Sequence, residues 1–439
     1  MKKLGKLFAL CLVFTMILTW STNCLAQSKE IRFWSDQTEP WQQEVIGKII
    51  SKFEELNPDV KVNVEYLSWE DFNNKLVSAL ATGTEPEVSL FAIQYSATLP
   101  AEGVLVPLDD VLEELGGQDA FFESALSISR YKDGKYYTLP YSTLPVLLWY
   151  RKDIFEKYNV EPPKTWEDLY EAAKILTEKT PQDMYGIGLP YGRNEWTDGA
   201  FRIIALWPAG GKVLDEDENV IFDSLETQKA LEYYKSLYPF TPPGSESWSY
   251  FETMNSYVTG ITAMTLYYGR ILVNLKEYSP DILANTGAII PPKNKYQATV
   301  NSPQTIGVFK NSNYPELGKE FLKYFLTSEF YAELLWATPG HSLPVLKAAV
   351  NDWRKHPLLE EYPEILDTLL KSIQPGIGFA ETKEPGIEKV SPCWMPIRGS
   401  DIIPDAIQKV TLNNEKVEEV TAWTAKELKK VISEYKQTN

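Results

Sequence analysis

Between Ile31 and Phe91 the spacing of apolar residues switches back and forth between two periods, and this restricts the folds open to the chain more than any other feature. Ile31-Arg32-Phe33-Trp34 reads as a strand, and Val45, Ile46, Ile49, Ile50 and Phe53 then recur at helical spacing until Asn57-Pro58 stops them. Val60 to Leu67 alternates as a strand, Asp71 to Ala81 reads as a helix, and Glu87 to Phe91 reads as a strand. This βαβαβ order predicts an α/β fold with a mostly parallel sheet and helices on its faces. No GxGxxG follows the first strand and no GxxxxGK[ST] occurs, so the pattern carries no phosphate loop.

What precedes that body has the form of an export signal. Lys2, Lys3 and Lys6 form a positive start, and the apolar stretch Leu7 to Trp20 is too short to span a bilayer. Cleavage after Ala26 is expected, giving residues 1–26 as signal peptide and an exported, periplasmic protein. The alternative is lipid attachment at Cys24, with Asn23 before it, which would make a cell-surface lipoprotein. Either way no second segment has membrane length. If cleavage follows Ala26, Cys393 is the one remaining thiol, which excludes an intrachain disulfide framework.

The formal charge of −17, from 43 basic and 60 acidic residues, supplies no basic face, so nucleic acid is not an expected partner. Two His and three scattered Cys give no zinc spacing, and neither metal nor cofactor is expected. The acidic run Asp215 to Asn219 lacks the glycine of a calcium loop and reads as a hairpin tip between Val213-Leu214 and Val220-Ile221. Gly340-His341-Ser342-Leu343-Pro344 resembles a nucleophile elbow but ends in Pro, and it reads as a hinge turn. Cys393, beside Pro392 and Trp394, reads as a buried apolar filler.

Proline punctuates the rest. Leu139 to Pro145 reads as a break before the β-like run Val146 to Tyr150, and Pro162-Pro163 precedes Thr165, which caps a helix from Trp166 to about Leu176. Ile289-Ile290-Pro291-Pro292 is a second break, followed by the run Ile306 to Phe309 and a helix from Pro315 to Leu326 capped by Asn313. Ala337 to Pro344 is the third. Three such crossings suggest two lobes, each discontinuous in sequence, joined by a hinge.

Several blocks along the chain together carry a family resemblance. They are Phe33-Trp34, Phe53 to Val62, Leu80 to Val88, Leu139-Pro140-Tyr141, Trp149 to Phe155, Pro162 to Leu169, Gly260 to Met264 and Glu320 to Glu329. In this order and spacing the chain resembles the extracellular solute-binding proteins of ATP-driven importers, in their sugar-binding, maltose-binding-protein-like branch. Glu87 and Arg151 stand where that family usually has Asp and Asn. The resemblance implies the two-lobed periplasmic-binding-protein fold with a hinge and an interlobe ligand cleft. It places lobe 1 at residues 27–141 plus about 292–340, and lobe 2 at 142–291 plus about 341–439. It further implies a monomer that delivers an oligosaccharide to membrane permease subunits without chemical change.

Aromatic residues make up 13% of the chain, more than a core needs, and a pyranose offers a C–H face to such rings while its hydroxyls take directional polar partners. The expected ligand-binding residues are Asp36, Trp41, Trp69 and Tyr95 in the first lobe, and Trp196, Trp207, Tyr268, Arg270 and Trp394 in the second. Tyr95 lies after the third strand, at the carboxyl edge where open α/β sheets bind ligands. Trp394 matches the late aromatic that the family aims into its cleft, whereas Arg270 stands where the family frequently has Trp. Arg270 is expected to face the cleft with a carboxylate as its nearest fixed partner, since an isolated buried guanidinium costs several kcal/mol. Two other classes stay open: a secreted glycosidase using Glu70 with Asp71, or Glu195 with Asp198, and a receptor for another small solute such as a polyamine or peptide.

Overall fold

The computed structural model describes residues 28–181, 183–374, 378–380, 384–387 and 390–438, without the side chains of 69, 70, 378–380 and 438. The expected signal peptide and Cys24 lie outside the described residues. The opening alternation is present as β1 (Lys29–Ser35), α1 (Pro40–Leu56), β2 (Val60–Tyr66), α2 (Trp69–Thr82), β3 (Val88–Phe91) and α3 (Tyr95–Glu102). β1 pairs in parallel with both β2 and β3. Helix α1 starts at Pro40 behind a Glu39–Gln42 capping box and buries Val45, Ile46, Ile49, Ile50 and Phe53, the residues whose spacing predicts it.

Beyond β3 the pairing is mostly antiparallel, so the sheet as a whole is mixed. β4 (Leu139–Arg151), β5 (Met264–Tyr268), β6 (Thr286–Ile289) and β7 (Thr299–Val308) follow, and β7 pairs antiparallel with both β3 and β4. The chain leaves the first lobe along β4 and comes back along β7, so the returning strand runs against the strands already in place. Residues Leu139 to Pro145 of β4 pair with β7, and Val146 to Arg151 with β5 and β6, so one strand serves both lobes. The expected break at Leu139–Pro145 is therefore strand. Proline's fixed φ suits an extended chain, and its missing donor is accommodated at an irregularity between Pro140 and Ser142.

In the second lobe α4 (Trp166–Lys179) carries the expected Thr165 cap, closed into a box by Asp168. Next comes α5 (Glu195–Phe201), which continues through a π turn, Arg202–Leu206, into Trp207–Ala209. Helices α6 (Leu225–Leu237), α7 (Tyr250–Val258) and α8 (Ile271–Tyr278) complete this part of the lobe. Returning to the first lobe, α9 (Pro315–Thr327) packs Phe321 against Phe33 and Phe53 edge-to-face, at 5.2 Å from each. Its N-cap is Tyr314, not Asn313, and no side chain caps it. The short β8 (Gly378–Ala380) pairs with β7, and α10 (Trp394–Arg398), α11 (Ile402–Thr411) and α12 (Val417–Thr438) close the chain.

The acidic run forms the expected turn: Leu214 bridges Val220, and Asp215 Oδ1 accepts from the Asp217 and Asn219 amides at 2.9 and 2.8 Å. Cys393 is buried as expected but is more than an apolar filler, because its thiol donates to Glu218 Oε2 at 3.5 Å. Among the described residues no helix is long and apolar enough to cross a membrane.

Candidate functional site

Where β4 and β7 cross between the lobes they form the floor of a cavity of about 430 Å³. Leu144 comes from β4, and Ser302 and Gln304 from β7. One wall is the loop after β3, Ala92 to Gln94, at the carboxyl edge of the parallel strands. The facing wall is built from the second lobe: Tyr267 and Tyr268 at the end of β5, Arg270 before α8, Glu195 at the start of α5 and Tyr250 at the start of α7. His341, from the turn after Trp336, and Met395, Arg398 and Gly399, from α10 and its end, close the rim.

The aromatic wall is layered. Trp196 stacks on Tyr250 at 4.8 Å and on Tyr268 at 5.4 Å, and those two tyrosines lie 6.3 Å apart with their planes 27° from parallel. Trp196 is 1% exposed, so it acts as backing, and the two tyrosines present the surface. The Tyr250 hydroxyl donates to Glu195 Oε1 at 3.2 Å, while Glu195 Oε2 lies 3.3 Å from Arg398 Nη2. The Tyr268 hydroxyl sits 3.5 Å from Ser302 Oγ, linking the wall to the floor.

Arg270 lines the cavity as expected, but the expected carboxylate partner is absent: among the described residues its guanidinium makes no ion pair. Glu195, the carboxylate among the described lining residues, is bound to Arg398 instead. Burial, and secondarily the Arg270 charge, push the His341 imidazole down to about 3, so it is neutral at ordinary pH. An imidazole neutral in the folded chain takes up its proton on unfolding below about pH 6.5, which favours unfolding as the pH falls. His341 is thus expected to remove up to about 1.4 kcal/mol of stability per pH unit between 6.5 and 3. Urea titrations from pH 4 to 8 should show this slope reduced in His341→Gln, and an unchanged slope would refute it.

The other expected residues are placed as follows. Asp36 is half-buried at the end of β1, where burial raises its pKa against an opposing 2.8 Å hydrogen bond from Gln37, whose amide also reaches the Tyr141 hydroxyl at 3.1 Å. Trp41 is 36% exposed in the first turn of α1. Trp69 opens α2, and its side chain lies outside the described residues. Tyr95 does not reach the cavity wall: it packs in a satellite core with Phe72 and Phe91, and its hydroxyl donates to Asn73 at 3.0 Å. Its neighbour Gln94 lines the cavity instead.

Trp207 and Trp394 are brought together, away from this cavity. Both rings lie against the buried Arg202 guanidinium, at 5.6 and 4.9 Å, and Arg202 is paired with Asp198. The Trp207 indole donates to Glu384 Oε2 at 2.8 Å, and that carboxylate also accepts from the Val213 amide at 2.6 Å. Trp394 borders a second cavity of about 280 Å³, lined by the acidic turn and by Tyr131 and Lys132 of the first lobe. The sequence reading missed Tyr250, Gln94, Ser302, Gln304 and Arg398. No local motif marks them, and only their convergence on one cavity identifies them.

The profile of the bacterial extracellular solute-binding protein family matches residues 34–332. The chain is 25% identical over 424 residues to an Escherichia coli (strain K12) protein provisionally named ABC transporter periplasmic-binding protein YcjN, spanning 94% of this chain and 96% of that protein. It is also 25% identical over 366 residues to the arabinooligosaccharide-binding protein of Bacillus subtilis (strain 168), spanning 77% and 80% of the two. In fold it resembles the sugar-binding protein MalE of Xanthomonas citri, with a TM-score of 0.78 at 18% identity over 93% of this chain and 99% of that one.

Proposed function

The chain belongs to the bacterial extracellular solute-binding protein family, and on that premise we propose that it is the receptor of an ATP-driven carbohydrate importer. It captures an oligosaccharide between its lobes and hands it unchanged to membrane permease subunits. It works as an exported monomer, either free in the periplasm or held at the cell surface through Cys24. The lobes that close are 27–141 with about 292–340, and 142–291 with about 341–439. The exchange of strand partners between Pro145 and Val146 of β4 supports a boundary within that strand.

The observation that carries this reading is the Tyr250–Tyr268 surface backed by Trp196, facing Gln94, Ser302 and Gln304 across the cavity. Flat rings take the C–H face of a sugar, and amide and hydroxyl groups take its hydroxyls. The names of the arabinooligosaccharide and MalE relatives point the same way. Against a glycosidase, both Asp198 oxygens are held by Arg202 and Glu195 is paired with Arg398, which disfavours this pair as acid and nucleophile. Among the described residues two arginines and one glutamate line the wall, which disfavours a polyamine.

A thermal-shift screen of the mature protein against arabino-, malto-, xylo- and galacturono-oligosaccharides tests the proposal. A ligand at 100 times its dissociation constant adds ~2.7 kcal/mol of stability. Incubation followed by carbohydrate chromatography should return the ligand intact, and the release of shorter sugars would revive the hydrolase. Tyr250→Ala is expected to cost ~1–2 kcal/mol of binding, about five- to thirtyfold in Kd by calorimetry, with little change in melting temperature. Unchanged affinity would remove Tyr250 from the ligand surface.

A further inference from the structure

This chain of net charge −17 places two arginines, Arg270 and Arg398, in the wall of its interlobe cavity. Among the described residues Arg270 and Arg398 line it with one carboxylate, Glu195, which is bound to Arg398 at 3.3 Å and to the Tyr250 hydroxyl at 3.2 Å. Arg270 is exposed and has no ion pair among the described residues. It is also the N-cap residue of α8, an end that no side chain caps, so the positive end of the helix dipole lies at the same wall. Other arginines of this lobe are paired: Arg151 with Asp153, Arg193 with Asp405, Arg202 with Asp198. A chain with 60 acidic residues thus sets none of its described carboxylates against Arg270.

Resting on the carbohydrate reading above, we propose that the transported sugar carries an oxyanion, a uronic carboxylate or a phosphate ester, held by Arg270 in the interlobe cavity. The guanidinium fork matches either group with two parallel donors. Gln94, Ser302 and Gln304 lie on the adjoining floor and wall, where hydroxyls next to the anion would meet them. Such a ligand supplies the Arg270 guanidinium with an anion. The overall negative field opposes its approach only weakly, because charges beyond about 8–10 Å are screened at physiological salt.

The test is calorimetry on the mature protein with trigalacturonic acid, glucose 6-phosphate, maltotriose and arabinotriose, in wild type and Arg270→Gln, at low and high salt. One of the anionic probes is expected to bind at least tenfold tighter than the neutral ones and to weaken with salt. Arg270→Gln should lower its affinity at least tenfold, and by more than that of any neutral probe, with the melting temperature of the free protein retained. The trigalacturonic and glucose 6-phosphate arms tell carboxylate from phosphate. Neutral probes binding as well as anionic ones, or Arg270→Gln weakening both equally, would overturn the anion grip and leave the carbohydrate receptor standing. If no sugar binds, neutral or acidic, both readings fall.

Discussion

Asp198→Ala will lower the unfolding free energy by about 3–5 kcal/mol, seen as a large fall in the urea midpoint at unchanged slope. Asp198 and Arg202 are 4% and 1% exposed, and the carboxylate takes Arg202 Nε at 3.1 Å and Nη2 at 2.5 Å. Removing it takes from a buried guanidinium, packed against two indoles, the carboxylate that holds it through two of its nitrogens, and weaker compensation of that desolvated charge dominates the cost. The double variant Asp198→Ala/Arg202→Met should recover most of the loss, since a flexible apolar chain fills the space between Trp207 and Trp394. The pair spans the join between α5 and its π turn, and α5 carries Glu195 and Trp196, so ligand affinity should fall with stability in the single variant. A loss below about 1 kcal/mol would mean that the pair is solvated in the working protein.

Gly269→Ala is expected to cost about 2–4 kcal/mol and at least tenfold in ligand affinity. A Cβ on Gly269 would lie 1.7 Å from the Gly340 carbonyl oxygen and 2.4 Å from its carbon. Both are backbone atoms, so no side chain can rotate out of the way, and the end of β5 must part from the turn that follows Trp336. Those two segments carry Tyr268 and Arg270 on one side and His341 on the other, so their separation opens the cavity wall. Gly83→Ala makes the comparison: its φ of +66° is strained for alanine, yet nothing lies within 4 Å, and a cost near 1 kcal/mol is expected. Calorimetric unfolding and titration with the ligand found in the sugar screen measure both effects, and equal costs at the two positions would refute the close crossing.

Local features could be read from residues that are near neighbours in the chain. The alternation from β1 to β3, the end of α1 before Asn57 and the Thr165 cap of α4 all follow from residues within a few positions of one another, and the structure has these within one to three residues, whereas α1 begins at Pro40, five residues before the first of its periodic apolar positions. The two-lobed architecture was legible too, through the proline-rich crossings and the order of family-like blocks and not through periodicity. Tertiary structure alone decided the rest. Prolines in Leu139–Pro145 read as a break because their local signal is strong, and pairing with a strand from the far side of the second lobe overrode it. The tryptophans had no legible address: Trp196, Trp207 and Trp394 look alike in sequence, and which ring backs the cavity and which packs on Arg202 depends on partners up to nearly two hundred residues away. Tyr250, Gln304 and Arg398 meet in one cavity only because α7, β7 and α10 converge there. Helix period and caps act within a turn or two of backbone, whereas burial and charge pairing are set by whichever distant segment arrives to exclude water.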